Sequence, residues 1–225
     1  MLQRDDITAL ILTLQLAGCT TLILLLIGTP LAWWLARSRW RGKFLLEALV
    51  ALPLVLPPTV LGFYLLLALG PRGWLGQLNT ALGFSPWVFS FKGLVAGSVI
   101  YSLPFVVQPL QDTFQSIGRR PLEVAATLRA GPWDRLVHVI LPMSRSGFVT
   151  ASMLGFAHTM GEFGVVLMIG GNIPGLTQVL SIRIYGQVET LQYAQAHLLS
   201  GALLLVSLTI LISVYALRGR LRLVR

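Results

Sequence analysis

Few residues of this chain have types and spacings that could do chemistry. His158 and Glu162 stand four apart inside a long apolar run, so a continuous helix would put both on one face. An ionisable pair at membrane depth is a functional candidate by default. The plainer reading is interhelical hydrogen bonding that fixes a bundle. His158-x-x-x-Glu162 is not the H-E-x-x-H arrangement of a zinc hydrolase. His138 and His197 fall at other depths, so a membrane-embedded enzyme has no convergent set of groups. The single cysteine, Cys19, lies in an apolar run, which offers neither a disulfide framework nor metal-ligand spacing. No metal site is expected. No G-x-x-x-x-G-K-[ST] phosphate loop occurs, so any ATP that drives this protein is bound by another chain.

The densest concentration of charge between apolar runs is residues 119–142, RRPLEVAATLRAGPWDRLVHVILP. Arg119, Arg120, Glu123, Arg129, Asp134, Arg135 and His138 keep this stretch out of lipid. Pro121 suits the first turn of a helix, where its missing N–H costs nothing. Glu123 follows in that turn, where the helix dipole favours a carboxylate. Ala125, Ala126 and Leu128 are strong helix formers. Gly131 and Pro132 end that helix, and Pro132 can start a second short one. The pattern predicts a small helix outside the membrane whose small residues let a partner approach closely; a solvated loop helix without a role is the alternative.

The elements around this stretch are membrane spans. The 225 residues are 55% hydrophobic and 11% charged, whereas a soluble domain carries about a quarter charged residues. An all-α membrane protein is expected, a single domain with five spans near residues 8–36, 44–69, 91–110, 146–171 and 198–217. The first would reach about 43 Å as a straight helix, beyond the ~30 Å hydrocarbon core, and Trp33, Trp34 and Trp40 mark an interface belt. In the second, Pro53, Pro57 and Pro58 free backbone carbonyls. Free carbonyls at membrane depth are tolerated only against protein or a water-filled cavity. The break is therefore either a pathway lining or a packing kink. The fourth span is rich in small residues, with Ala151 and Gly155 four apart, as are Ala157 and Gly161; that spacing allows close helix contact in lipid. The aromatic loop over 70–90 suits an interface position, and the loop over 172–197 is polar.

Charge sets the orientation. The segment after span 1, the stretch from Arg119 through Arg145, and the tail from Arg218 hold 13 of the 17 Lys and Arg residues. Only Arg4, Arg72, Lys92 and Arg183 lie on the other side. The positive-inside rule puts the tail and the Glu123 helix in the cytoplasm and the amino terminus outside. Because these cations cluster at span ends, they mark topology rather than a nucleic-acid surface.

Residues 119–142 resemble the EAA loop of ABC importer permeases, the segment that docks on the ATP-binding subunit. Glu123, Ala125, Leu128, Ala130, Leu141 and Pro142 fall in the motif's register. Val124 stands where the motif has its first Ala, and Arg129 stands where it has Gly, with Gly131 two residues later. This departure predicts a differently shaped turn after the helix. Nearly the whole chain is similar to molybdate- or tungstate-type permeases within the wider sulfate and molybdate group. Residues 54–64 (LVLPPTVLGFY) and 161–178 (GEFGVVLMIGGNIPGLTQ), followed by Ser181 to Tyr185, carry that likeness.

The resemblance implies a binding-protein-dependent type I ABC importer permease fold in the bacterial inner membrane. It implies a homodimer, two cytoplasmic ATPase subunits and an external binding protein that delivers the oxyanion. Arg120, Glu123, Val124, Ala125, Ala126, Leu128, Arg129, Ala130 and Gly131 would then form the ATPase-coupling surface. Polar, small and carbonyl-rich walls suit an anion pathway, which points to Pro57, Pro58 and Thr59 and to Gly161, Glu162, Phe163, Gly164, Gly171 and Asn172. Within that wall the Glu162 carboxylate would repel an anion unless paired or protonated, so its expected part is structural. Arg72 and Arg183 are the expected landing points for the binding protein. A sulfate or tungstate permease of the same group is the near alternative. An ATP-independent carrier or channel is the distant one, for which no internal repeat of the proline break is seen.

Overall fold

The computed structural model describes residues 3–223, without the side chains of 217–223; the basic tail, Arg218, Arg220, Arg222 and Arg225, lies outside the described side chains. The described chain is helical. In order come α1 (Arg4–Arg37), α2 (Lys43–Val55), α3 (Pro58–Leu69), α4 (Trp74–Ala81), α5 (Phe91–Ile117), α6 (Arg120–Thr127) and α7 (Pro132–Arg135). A π-helical turn, Leu136–Ile140, leads into α8 (Leu141–Met160), and then α9 (Gly164–Gly170), α10 (Leu180–Glu189) and α11 (Tyr193–Leu223) follow.

Four helical stretches, Arg4–Arg37, Phe91–Ile117, Pro132–Met160 and Tyr193–Ala216, are long and apolar enough to cross a membrane. A fifth crossing is available if α2 and the helical stretch after it count as one broken span. These two are bent by 114°, far more than the kink expected within a span over 44–69. The cause is local. Leu56 is extended, with φ −73° and ψ 134°, and Pro57 beside it has no N–H to continue α2. Pro58 then starts α3 at a position where proline is at home. The fourth expected span is also redrawn: its helix begins at Pro132 and stops at Met160, and the rest of the 146–171 run forms the separate helix α9.

The core lies where α1, α5 and α8 meet. Leu24, Leu35, Val106, Val107, Leu110, Phe114 and Ala151 are buried there. Small residues set the approach, as their spacing predicts: a Cβ added at Gly155 would come 2.6 Å from Val106 Cγ2, and one at Gly147 would run into Thr113. The second expected pair, Ala157 and Gly161, is exposed and packs against nothing comparable.

A second contact joins the two broken regions. A Cβ at Gly62 of α3 would lie 2.9 Å from Met168 Cβ and 3.0 Å from Val165 Cα of α9, and one at Gly164 would lie 2.7 Å from Pro58 Cβ. The two sequence segments singled out for different reasons therefore pack on each other. By contrast α11 leaves Leu204, Leu205, Leu208 and Ile212 exposed along its length, as suits a helix facing lipid.

Gly62→Leu is expected to lower the thermal midpoint of the purified protein, because overpacking against backbone costs roughly 1–3 kcal/mol. Gly186→Ala in α10, where an added Cβ meets no atom within 4 Å, is expected to raise it slightly through helix propensity. Equal midpoints for both variants would contradict the close α3–α9 crossing.

Candidate functional site

The charged stretch after α5 forms α6 as expected. Arg119 O accepts from the N–H groups of Leu122 and Glu123 at 3.0 Å, and Glu123 sits exposed in the first turn, where the helix dipole favours it. Only Ala125 is buried. Arg120, Glu123, Val124, Ala126, Leu128 and Arg129 all face out, with Val124 61% and Leu128 77% exposed, apolar area that a solvated helix has no reason to display. Trp133 beyond the turn is also exposed.

The turn after α6 keeps the shape that a glycine would allow. Arg129 has φ 59°, in the left-handed region. Its N–H donates to Ala126 O at 3.0 Å, and Ala130 N–H donates to Ala125 O at 3.0 Å, the paired bonds of a helix end closed by a left-handed residue. The expectation of a different turn, drawn from the missing glycine, is thus corrected: the arginine adopts the glycine conformation at a cost. Ala130 and Gly131 are half-buried, and Arg135 Nε donates to Ala130 O at 2.8 Å, which ties the turn to α7. The motif's closing Leu141 and Pro142 are not loop residues but the first turn of α8. Pro142 has no N–H to offer, and the preceding turn widens so that Leu141 N–H donates to Leu136 O.

The expected pathway segments meet at the α3–α9 crossing. Pro57 and Thr59 are exposed and Pro58 half-buried, while Gly164 is buried against Pro58. Gly161 is exposed and Phe163 half-buried in the break between α8 and α9, and the Phe163 ring lies 4.9 Å from that of Tyr185, tilted by 46°. Gly171 has φ 66°, which ends α9 in a left-handed turn, and Asn172 is exposed. Asn172 Oδ1 accepts from Gln178 Nε2 at 2.6 Å, and Thr177 Oγ1 donates to Gly170 O at 2.7 Å.

His158 and Glu162 do not share a helix face. The helix α8 ends at Met160, so Glu162 lies past its last turn. His158 Nδ1 lies 2.9 Å from Ser102 Oγ of α5, and its ring stacks on Phe105 at 3.8 Å; here the bundle-fixing role holds. The Glu162 carboxylate is buried, 4% exposed, and neither oxygen has a hydrogen-bond partner. Ser98 lies beside it with its own Oγ unpartnered. The Glu162 backbone carbonyl accepts from Ser181 Oγ at 2.6 Å, a tie to α10 that the sequence did not single out. Among the described residues, no three His, Cys, Asp or Glu side chains converge as metal ligands.

The two arginines expected at the outer face differ. Arg72 is exposed after α3. Arg183 is only 15% exposed in its side chain; its Nε donates to Asp6 Oδ1 at 2.7 Å and its Nη2 to Gln3 Oε1 at 3.2 Å. Asp5 is 3.8 Å away. This guanidinium fastens α10 to the start of α1, beside a second tie in which Leu180 N–H donates to Thr13 Oγ1 at 2.8 Å.

Two outcomes follow for stability. Arg183→Gln leaves Asp6 buried and unpaired and is expected to cost roughly 3 kcal/mol, read as a lower thermal midpoint; adding Asp6→Asn removes the orphan charge and recovers part of the loss. No recovery in the double variant would contradict the pairing. Arg129→Gly is expected to stabilise by roughly 1 kcal/mol, since an L-residue pays about that in the left-handed region. Arg129→Val is expected to destabilise, and shifts of the same sign would contradict the turn geometry.

Residues 28–223 match the family of binding-protein-dependent transport system inner membrane components. The chain is 59% identical over 217 residues to the molybdenum transport system permease protein ModB of Azotobacter vinelandii, covering 96% of each protein. It is 35% identical over 211 residues to the ModB protein of Haemophilus influenzae, covering 92% of each. In fold it is similar to a chain of a bacterial ABC transporter involved in the import of the acidic polysaccharide alginate, with TM-score 0.75 and 17% identity over 98% of this chain and 80% of that one. With four to five membrane-crossing helical units and a family match over most of its length, this chain belongs to the binding-protein-dependent transport system inner membrane components.

Proposed function

We propose that the chain is the membrane subunit of an ATP-driven molybdate importer. It works as a homodimer, with two cytoplasmic ATP-binding subunits and a periplasmic binding protein that delivers the anion. ATP is bound and hydrolysed by the partner subunits, and this chain is not the enzyme. The observation that carries the coupling half is α6: eight residues outside the spans, anchored by Ala125, that display Glu123 and Val124, with Leu128 exposed at the end of the helix. The substrate half rests on the 59% identity, over nearly the whole length, to a molybdenum permease.

The orientation with the amino terminus outside is supported from both ends of α1. Its last residue, Arg37, donates to Gly118 O at 2.8 Å, beside α6. Its first turn pairs with Arg183 at the opposite end. The chain needs no tight anion site, because a tight site would hinder release of what the binding protein delivers. The packed breaks at residues 57–59 and 161–172 supply small, polar and carbonyl-bearing walls for passage. Arg72, exposed and without a carboxylate partner among the described residues, suits the docking of the binding protein. Arg183 contributes to that surface by holding its shape.

The test is reconstitution with the ATPase and binding protein, measuring uptake of labelled molybdate with and without ATP and with excess sulfate. Uptake is expected to need ATP, to ignore sulfate, and to fall by at least roughly tenfold in Glu123→Arg, since reversing a charge at an interface costs several kcal/mol. Equal competition by sulfate would move the substrate to the wider group. Uptake without ATP would return the chain to the carriers and channels.

A further inference from the structure

We infer that the cytoplasmic end of the bundle binds an anionic phospholipid, with its phosphate held by Arg37, Arg119 and Arg135 and an acyl chain in the apolar cavity beside them. A cavity of about 290 Å³ is lined by these three arginines together with Leu122, Glu123 and Ala126. Three guanidiniums against one carboxylate leave it cationic. Among the described residues none of the three forms a salt bridge. Arg37 Nη2 is used by Gly118 O and Arg135 Nε by Ala130 O. The Arg37 Nε is buried without a partner, and its guanidinium lies 4.6 Å over the Trp33 ring. Arg37 and Arg135 are thus held in place, Arg119 is exposed beside them, and the charge of the three is not answered.

A second cavity, of about 570 Å³, shares Leu122 and Arg135 with the first. Its other walls are apolar, formed largely by Pro30 and Trp33 of α1, Phe114 of α5, Leu136 of the π-helical turn and Leu141 at the start of α8. From Arg37 back to its far wall at Thr29 is about 12 Å along α1, so the apolar cavity extends from the guanidiniums towards the hydrocarbon. Pro30 and Leu141 at its edge are exposed. A phosphodiester fits planar guanidiniums through charge-assisted pairs, and basic pockets between helices at the cytoplasmic face suit anionic head groups. Free phosphate would satisfy the cations and leave the larger cavity unfilled. An acidic side chain of the ATPase subunit would do the same. Only a ligand with both parts fills both spaces.

A lipid seated there lies against Leu122 and Ala126 of α6 and helps to set the height of that helix over the bundle. The leaflet assigned to it rests on the orientation proposed above, whereas the binding does not depend on transport. The permease–ATPase complex would be purified and examined by native mass spectrometry after exposure to phosphatidylglycerol, phosphatidylcholine with the same chains, or inorganic phosphate. Selective retention of phosphatidylglycerol is expected. Arg119→Gln, whose side chain makes no hydrogen bond within the described residues, is expected to reduce retention by about tenfold. Leu136→Trp, which keeps every cation but fills the apolar cavity, is expected to reduce it as well. Equal retention of both lipids, retention unchanged in both variants, or phosphate bound as well as the lipid would overturn the site. Release of the ATPase subunit from Arg119→Gln with lipid retention unchanged would overturn it in favour of a protein partner.

Discussion

A backbone that breaks its helix inside a membrane must find partners for the groups it frees, because hydrocarbon offers none. This chain breaks twice in apolar surroundings, at Leu56–Pro57 and at Gly161–Phe163, and the organisation around it follows from closing those breaks. The short helices that resume after them, α3 and α9, pack on each other, with glycines at both contact points so that the backbones can meet. Ser181 on α10 takes the carbonyl of Glu162, and Thr177 takes the carbonyl of Gly170 at the end of α9. The irregular backbone of these two breaks is thus gathered in one region. A pathway for an oxyanion needs polar wall that is not strongly charged, and the proposed pathway region at residues 57–59 and 161–172 has no lysine or arginine.

The long helix α1 connects that region to both faces. At one end it is fastened to α10 by Asp6 and Thr13. At the other, Arg37 reaches the carbonyl of Gly118, the residue between α5 and the segment that carries α6. Since α5 packs along α1 and α8 through Val106, Val107 and the small residues Gly147 and Gly155, a displacement of α6 has a rigid route into the bundle. That is the mechanical basis for the proposed coupling. The route needs no moving charge within the membrane.

Much of this was legible in the sequence, for reasons that are local. Pro121 and Glu123 mark the start of α6 because helix termini have strong chemical preferences. The ladder of small residues in α8 is legible because its spacing is helical. What could not be read depends on tertiary context. Three prolines announce a break, but its 114° sharpness depends on what α3 packs against. The turn at Arg129 has no such signal, because its left-handed φ is normally marked by glycine and here an arginine bears the strain. His158 and Glu162 have helical spacing, yet the helix stops between them at Met160. The Arg183–Asp6 pair joins residues 177 apart in sequence, and no short-range signal reports it.

The most direct test of the central claim, that the paired breaks form the wall of the pathway, is water access at the break itself. In a Cys19→Ser background, Thr59→Cys and Leu204→Cys would be exposed in membranes to a small water-soluble thiol reagent, with the ATPase and binding protein present. The thiol at position 59 is expected to be labelled at a rate that changes when ATP is supplied, and the one at position 204, on the exposed apolar face of α11, to remain unlabelled. A position 59 that stays inert in every state, or that reacts no faster than position 204, would contradict it and reduce the break to a packing feature.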